Sequence, residues 1–84
     1  MSIQPLPFHE PTAILLDLKG LNCPLPILKT KQQLNKMQVG EMVTVLVTDP
    51  HAEIDFKAYL ARVNHELIHF CVEGDVYIFC IKKS

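Results

Sequence analysis

GLNCPLPILKTKQQL, residues 20–34, sets a cysteine against two prolines and then runs straight into helix-forming side chains. Proline has no amide hydrogen and its φ is preset near the helical value, so Pro24 and Pro26 are tolerated in a first turn and nowhere deeper. The stretch therefore predicts a helix that begins at Cys23. Ile27, Thr30, Leu34 and Met37 then fall on one face, with Lys29, Gln32, Gln33 and Lys36 elsewhere. Gly40 is expected to end the helix, because glycine takes the left-handed C-terminal conformation without a Cβ clash.

Working outward, the run AILLDL from Ala13 is short, apolar and closed by Lys19-Gly20, which favours a strand. On the other side MVTVLVT alternates, with Val43, Val45 and Val47 on one face and Met42, Thr44 and Leu46 on the other. TDPHAEIDFKAYLARV repeats the helix-start logic. Asp49 is expected to cap, Pro50 to take the first helical position, and Glu53 and Asp55 to lie near the positive end. Ala52, Phe56, Tyr59, Leu60 and Val63 form its apolar stripe. ELIHFCVEGDVYIFCIKK reads as two strands around a Gly74-Asp75 turn, glycine first being the type II′ preference. That register opposes Val72 to Tyr77, Phe70 to Phe79 and Ile68 to Ile81 on a face expected to meet the helices. His69 falls opposite Cys80, and Cys71 opposite Ile78, on the other face.

The order is β-α-β-α-β-β, which suits an α+β fold: a two-layer α/β sandwich with a four-stranded mixed sheet and two helices on one face. A strand-helix-strand unit is normally parallel with a right-handed crossover, so the loops carrying Cys23 and Asp49 should share one edge. With 84 residues the chain has room for one domain, residues 13–84, near the size at which a single core is only just sufficient. Residues 1–12 carry Pro5, Pro7 and Pro11 without periodicity and read as an extended, partly mobile leader. Hydrophobic residues at 49% and charged ones at 20% give a globular balance. A net charge of -1 supplies no field for nucleic acid phosphates or an anionic membrane. No signal peptide or membrane-length apolar run is present, so a cytoplasmic location is expected.

Three cysteines cannot all pair within the chain, and a reducing compartment keeps thiols free. No C-x-x-C occurs and His9, His51, His65 and His69 offer no paired spacing, so neither a metal nor a cofactor is expected. Cys71 and Cys80 read as ordinary small strand-surface residues, with a redox pair as the alternative. As diagonal neighbours at roughly 7 Å they would be too far apart for an easy disulfide. Cys23 is different. A helix N-terminus stabilises an anion and lowers a cysteine pKa from about 8.5 toward roughly 3.5 to 7.5 in reactive sites. Because the two prolines remove amide donors, a moderate depression with real exposure is expected; the plain alternative is a helix cap, a task at which cysteine is poor. His51 near Asp49 offers the outline of a hydrolase base, but the domain is too small for a substrate cleft around it. A solvated first-turn position or a tuning role on the thiol remains for His51.

LDLKGLNCPLPILKTKQQL resembles the Cys-Pro-x-Pro signature of the TusA/SirA-like sulfur-carrier family, and GEMVTVLVTDPHAEIDF is similar to that family's second strand, Asp-Pro turn and helix. NHEL falls where members usually show a Gly-His pair; Asn64 replaces the glycine, and asparagine also visits the left-handed conformation. The resemblance covers residues 14–82. It implies the same β-α-β-α-β-β sandwich, similar to the carboxy-terminal domain of translation initiation factor three. It implies too that Cys23 accepts a persulfide sulfur from a cysteine desulfurase or another donor and passes it to an acceptor protein. By position Pro24 and Pro26 are the motif prolines, and Asp49-Pro50 the neighbouring turn. Lys19, Lys29 and the edge near Asp49 would contribute to docking. Leu25 stands where the thiouridine branch carries an acidic residue, a departure that counts against tRNA thiolation; other branches of the family serve molybdenum-cofactor biosynthesis, sulfur oxidation, or selenium and thiosulfate handling. An interaction or regulatory module of the same fold is the alternative function, and nucleic-acid binding rests on fold analogy alone.

Overall fold

The computed structural model describes residues 13–84; the expected leader, residues 1–12, lies outside the described residues. The elements are β1 (Ala13–Asp17), α1 (Leu25–Lys36), β2 (Met42–Val47), α2 (Ala52–Arg62), β3 (Glu66–Glu73) and β4 (Val76–Lys82), the order expected from the sequence. They build one mixed sheet in the order β1-β2-β4-β3, with β1 parallel to β2 and both pairs around β4 antiparallel.

The valine alternation of β2 decides which face is covered. Val43, Val45 and Val47 are fully buried, and across the ladder they pair with Ile81, Phe79 and Tyr77. Residues two apart on a strand share a face, so these positions form one apolar surface. Leu34 and Met37 from the α1 segment and Ala52 and Phe56 from α2 belong to the same buried cluster, which places both helices on that surface. Phe56 stacks on Phe79 with ring centroids 4.4 Å apart, and Phe70 tilts against Phe79 at 5.0 Å. Thr30 is buried without loss, because its hydroxyl donates to the Pro26 carbonyl at 2.9 Å.

Several boundaries depart from expectation. α1 begins at Leu25, not Cys23: Pro24 is its N-cap and Pro26 its second residue. Both positions tolerate a missing amide, so the proline rule admits a start two residues later than the one predicted. The helix ends at Lys36 with Met37 as C-cap, and Gly40, at φ +97°, serves a following turn instead. There the Glu41 carboxylate accepts from the Gln38 amide at 2.7 Å, while the Gly40 amide donates to the Lys83 carbonyl at 2.9 Å. α2 begins at Ala52 with His51 as N-cap, so Pro50 precedes the helix and Asp49 does not cap it.

The hairpin turns at Gly74, φ +62°, and no other described residue than glycine has a positive φ, so Asp75 fits the type II′ pattern and Asn64 is not left-handed. Phe70 opposes Phe79, Val72 opposes Tyr77, His69 opposes Cys80 and Cys71 opposes Ile78, as expected. A bulge between Leu67 and His69 breaks the remaining register. Leu67 takes the place opposite Ile81, and Ile68 is left 44% exposed. Val72, beside the hairpin tip, is also exposed rather than buried. Cys80 is buried, not a surface residue: β4 is flanked on both sides, with Thr44 and His69 as its ladder partners. Among the described residues no helix is long and apolar enough to cross a membrane.

Candidate functional site

Because β1 and β2 are parallel, the chain leaves both at the same end of the sheet. Two bonds stitch the exits together: the Leu18 amide donates to the Leu46 carbonyl at 2.8 Å, and the Gly20 amide to Thr48 Oγ1 at 2.9 Å. Cys23 and Asp49 thereby meet. The Cys23 amide donates to Asp49 Oδ2 at 2.6 Å, and the other carboxylate oxygen accepts from the His51 amide at 3.1 Å. Asp49 is 7% exposed, so this carboxylate is a buried clamp between the two loops rather than a helix cap. Pro50 carries the chain from that clamp to the start of α2, and Pro24 and Pro26 frame the start of α1. The Cys23–Pro24 peptide is cis.

The clamp yields a stability prediction. Asp49→Ala leaves two amides without their acceptor, and a part-buried orphan donor costs about 1 to 3 kcal/mol. Urea unfolding should show an unfolding free energy lowered by that amount and an earlier midpoint, with Asp49→Asn milder because its carbonyl oxygen still accepts. An unchanged midpoint for the alanine variant would show that the clamp does not hold the loops.

The Cys23 thiol is exposed and donates to Asp55 Oδ2 on α2 at 3.2 Å. That bond is the main cause pushing the thiol above its ordinary pKa; loss of hydration and the charges of Asp55 and Asp49 act in the same direction. The expected depression is therefore overturned. Its premise fails at the helix terminus: Cys23 lies one residue before the N-cap, Pro24 and Pro26 supply no amide, and the Leu25 amide is taken by the Asn22 carbonyl at 2.9 Å. Few donors remain to hold a thiolate, and a carboxylate faces it instead. Alkylation of Cys23 should accelerate with a midpoint above that of an ordinary free cysteine, leaving a smaller thiolate fraction at neutral pH. A midpoint well below that value would contradict the observed pairing.

An open cleft of about 240 Å³ adjoins the sulfur. Cys23, Pro24, Ile27 and Lys31 line one side and Asp55, Ala58, Tyr59 and Arg62 the other. Lys31 Nζ lies 5.1 Å from the Tyr59 ring centroid, so a cation and an aromatic bridge the two helices. Neither Lys19, which sits 3.9 Å from Asp17, nor Lys29 lines the cleft. Sequence reasoning singled out Cys23, Pro24, Pro26, Asp49 and Pro50, and the structure brings all five to one edge. It did not single out Lys31 or Arg62, and it placed Asp55 only as an acidic first-turn residue. The signal was present in the spacing: 24, 27, 31 and 55, 58, 59, 62 are each one helical face. Which faces meet depends on helix packing, and that is not readable from periodicity.

His51 does not complete a hydrolase. Its side chain is 74% exposed with Nδ1 3.8 Å from Asp49, while the sulfur bonds a carboxylate. Nucleophilic hydrolysis requires a base in contact with the nucleophile and a third group orienting that base. Cys71 is half-buried and Cys80 buried, both on strands of the sheet.

A small α+β sandwich that offers one exposed, anchored thiol beside a shallow cleft falls in the class of thiol-bearing exchange domains rather than cysteine hydrolases. Comparison with known proteins sharpens this. Residues 14–83 match the family described as Sulfurtransferase TusA, and the chain belongs to that family. The sulfur carrier protein TusA of Allochromatium vinosum is 46% identical over 69 residues, covering 82% of this chain and 91% of the relative. YrkI of Bacillus subtilis is 39% identical over 70 residues, covering 83% and 93%. The sulfur carrier protein TusA of Pseudomonas paraeruginosa is 30% identical over 75 residues, covering 89% and 95%.

Proposed function

We propose that this chain is a small sulfur carrier in which Cys23 accepts a persulfide sulfur and relays it to a partner protein. The observation that carries the reading is the exposed Cys23 thiol, fixed by Asp49 at its backbone and by Asp55 at its sulfur, in a chain of the sulfurtransferase family. Pro24, Pro26, Asp49 and Pro50 shape the loop that presents it. The donor is a cysteine desulfurase or another protein persulfide, and a downstream acceptor protein takes the sulfur. Thiol exchange needs an accessible sulfur and a partner bringing the rest of the chemistry, which matches a shallow site on so small a domain. The charge balance gives no support to direct nucleic-acid or membrane binding.

Incubation with a cysteine desulfurase and cysteine should produce a one-sulfur mass increase on the intact protein that a reductant removes. No adduct on the folded protein with any desulfurase, or one that a reductant leaves in place, counts against the carrier role.

The other thiols should be dispensable. Cys71→Ser combined with Cys80→Ala is expected to load sulfur as fast as the parent, since neither residue lines the cleft. Loss of loading in a variant whose circular dichroism is native would instead require a resolving cysteine.

A further inference from the structure

Resting on the carrier role of Cys23, we propose that Asp55 is the catalytic base of sulfur transfer, taking the Cys23 proton as the sulfur attacks the donor persulfide and passing it to the departing donor thiolate. The thiol hydrogen bond runs from Sγ to Asp55 Oδ2 at 3.2 Å, and the open cleft leaves the sulfur accessible to an incoming donor. A thiol paired with a carboxylate is mostly protonated at neutral pH, yet only the thiolate attacks. Proton removal must then accompany attack, which calls for an acceptor already in contact with the sulfur.

The other groups around the thiol do not fill that role. Both Asp49 oxygens accept backbone amides, from Cys23 and His51. The His51 ring lies toward Asp49 and solvent. Lys31 and Arg62 are donors with no lone pair to take a proton, and burial pushes the Tyr59 phenol up, keeping it protonated. The two cations line the cleft beside the sulfur.

In the loading step Cys23 Sγ attacks the terminal sulfur of a donor R–S–SH. The Sγ–S bond forms, the donor S–S bond breaks, and its electron pair leaves on the donor cysteine sulfur. The Cys23 proton passes to Asp55 Oδ2 and from there to the departing thiolate. The balance is Cys23–SH plus R–S–SH giving Cys23–S–SH plus R–SH, with no external oxidant or reductant. In delivery an acceptor thiol R′–SH gives its proton to Asp55 as it attacks the outer sulfur, the Cys23 S–S bond breaks, and Asp55 passes that proton to the departing Cys23 sulfur, giving Cys23–SH plus R′–S–SH.

Asp55→Asn separates this role from simple electrostatic suppression of the thiol, because the two readings predict opposite signs. Removing the negative charge should raise the iodoacetamide rate constant at pH 7 several-fold. Sulfur loading should nevertheless fall about 100-fold, the lower end of the range for a lost acid–base group. Both rates are measured on the full chain, with a desulfurase and with a small alkyl persulfide that makes no docking contacts; Asp55→Glu should recover part of the loading. Loading that rises together with alkylation overturns the proposal, as does a variant in which neither rate changes, or one impaired with the desulfurase alone. If wild-type Cys23 is alkylated but takes sulfur from neither donor, the carrier role itself is wrong and the base role falls with it.

Discussion

Replacing Cys23 by serine is expected to abolish sulfur acceptance and delivery while leaving the fold intact. Serine keeps the backbone amide that Asp49 binds at 2.6 Å, and its hydroxyl can still donate to Asp55. The sulfur is exposed and outside the apolar cluster, so no core contact is lost. Substitutions of that kind usually change stability by less than about 0.5 kcal/mol. Oxygen, however, cannot form a perthiol, so loading should drop to background rather than merely slow. The measurement is intact mass after incubation with desulfurase and cysteine, beside a urea titration of the same protein. Exchangeable sulfur persisting on the folded serine variant, or Cys71 or Cys80 being alkylated before Cys23 in the wild type, would remove Cys23 from the centre of the mechanism.

The route from sequence to this site shows which physical signals are local. The β2 valines and the Phe70–Phe79 pairing were legible because strand side chains alternate with period two and a tight glycine turn sets register. The meeting of Cys23 with Asp49 followed from the parallel crossover alone, without any knowledge of side-chain contacts. Both helices start two residues later than expected, because a proline is tolerated from just before the N-cap to N2 and so does not fix which of these positions it takes. The bulge that turns Ile68 outward escaped because a regular ladder was assumed, and nothing in ELIHF marks an extra residue.

The larger error was chemical. A thiol beside a helix start predicts a stabilised thiolate only if free amides face it. Whether they do depends on the residue at the N-cap and on what the neighbouring helix brings. Here α2 brings Asp55, and the shift reverses sign. Asp55 lies next to Phe56 in the chain, so the position of the carboxylate depends on how firmly that ring is seated. The same phenylalanine that fixes the helix on the sheet also fixes the partner of the thiol.

Phe56→Ala is therefore expected to be the most destabilising single change considered. The side chain is fully buried and stacks on Phe79 at 4.4 Å with the ring planes 16° apart. Truncating a buried phenylalanine costs about 3 to 5 kcal/mol through lost transfer energy and the cavity left behind. A chain of 84 residues has a total stability of roughly 4 to 13 kcal/mol at the usual figure per residue. The substitution thus removes nearly a quarter of that at the least, and at the lower end most or all of it. At about 4 to 8 °C per kcal/mol for a domain of this size, the melting midpoint should fall by more than ~10 °C. Val39→Ala, at a residue 76% exposed, is the control and should shift the midpoint little. In the fraction of Phe56→Ala protein that remains folded, a loosened α2 should weaken the Asp55–Cys23 bond and bring the thiol nearer its ordinary reactivity, read as faster alkylation at pH 7. A midpoint equal to that of the wild type would mean that α2 is not held by Phe56, and the account of both the core and the placement of Asp55 would have to be redrawn.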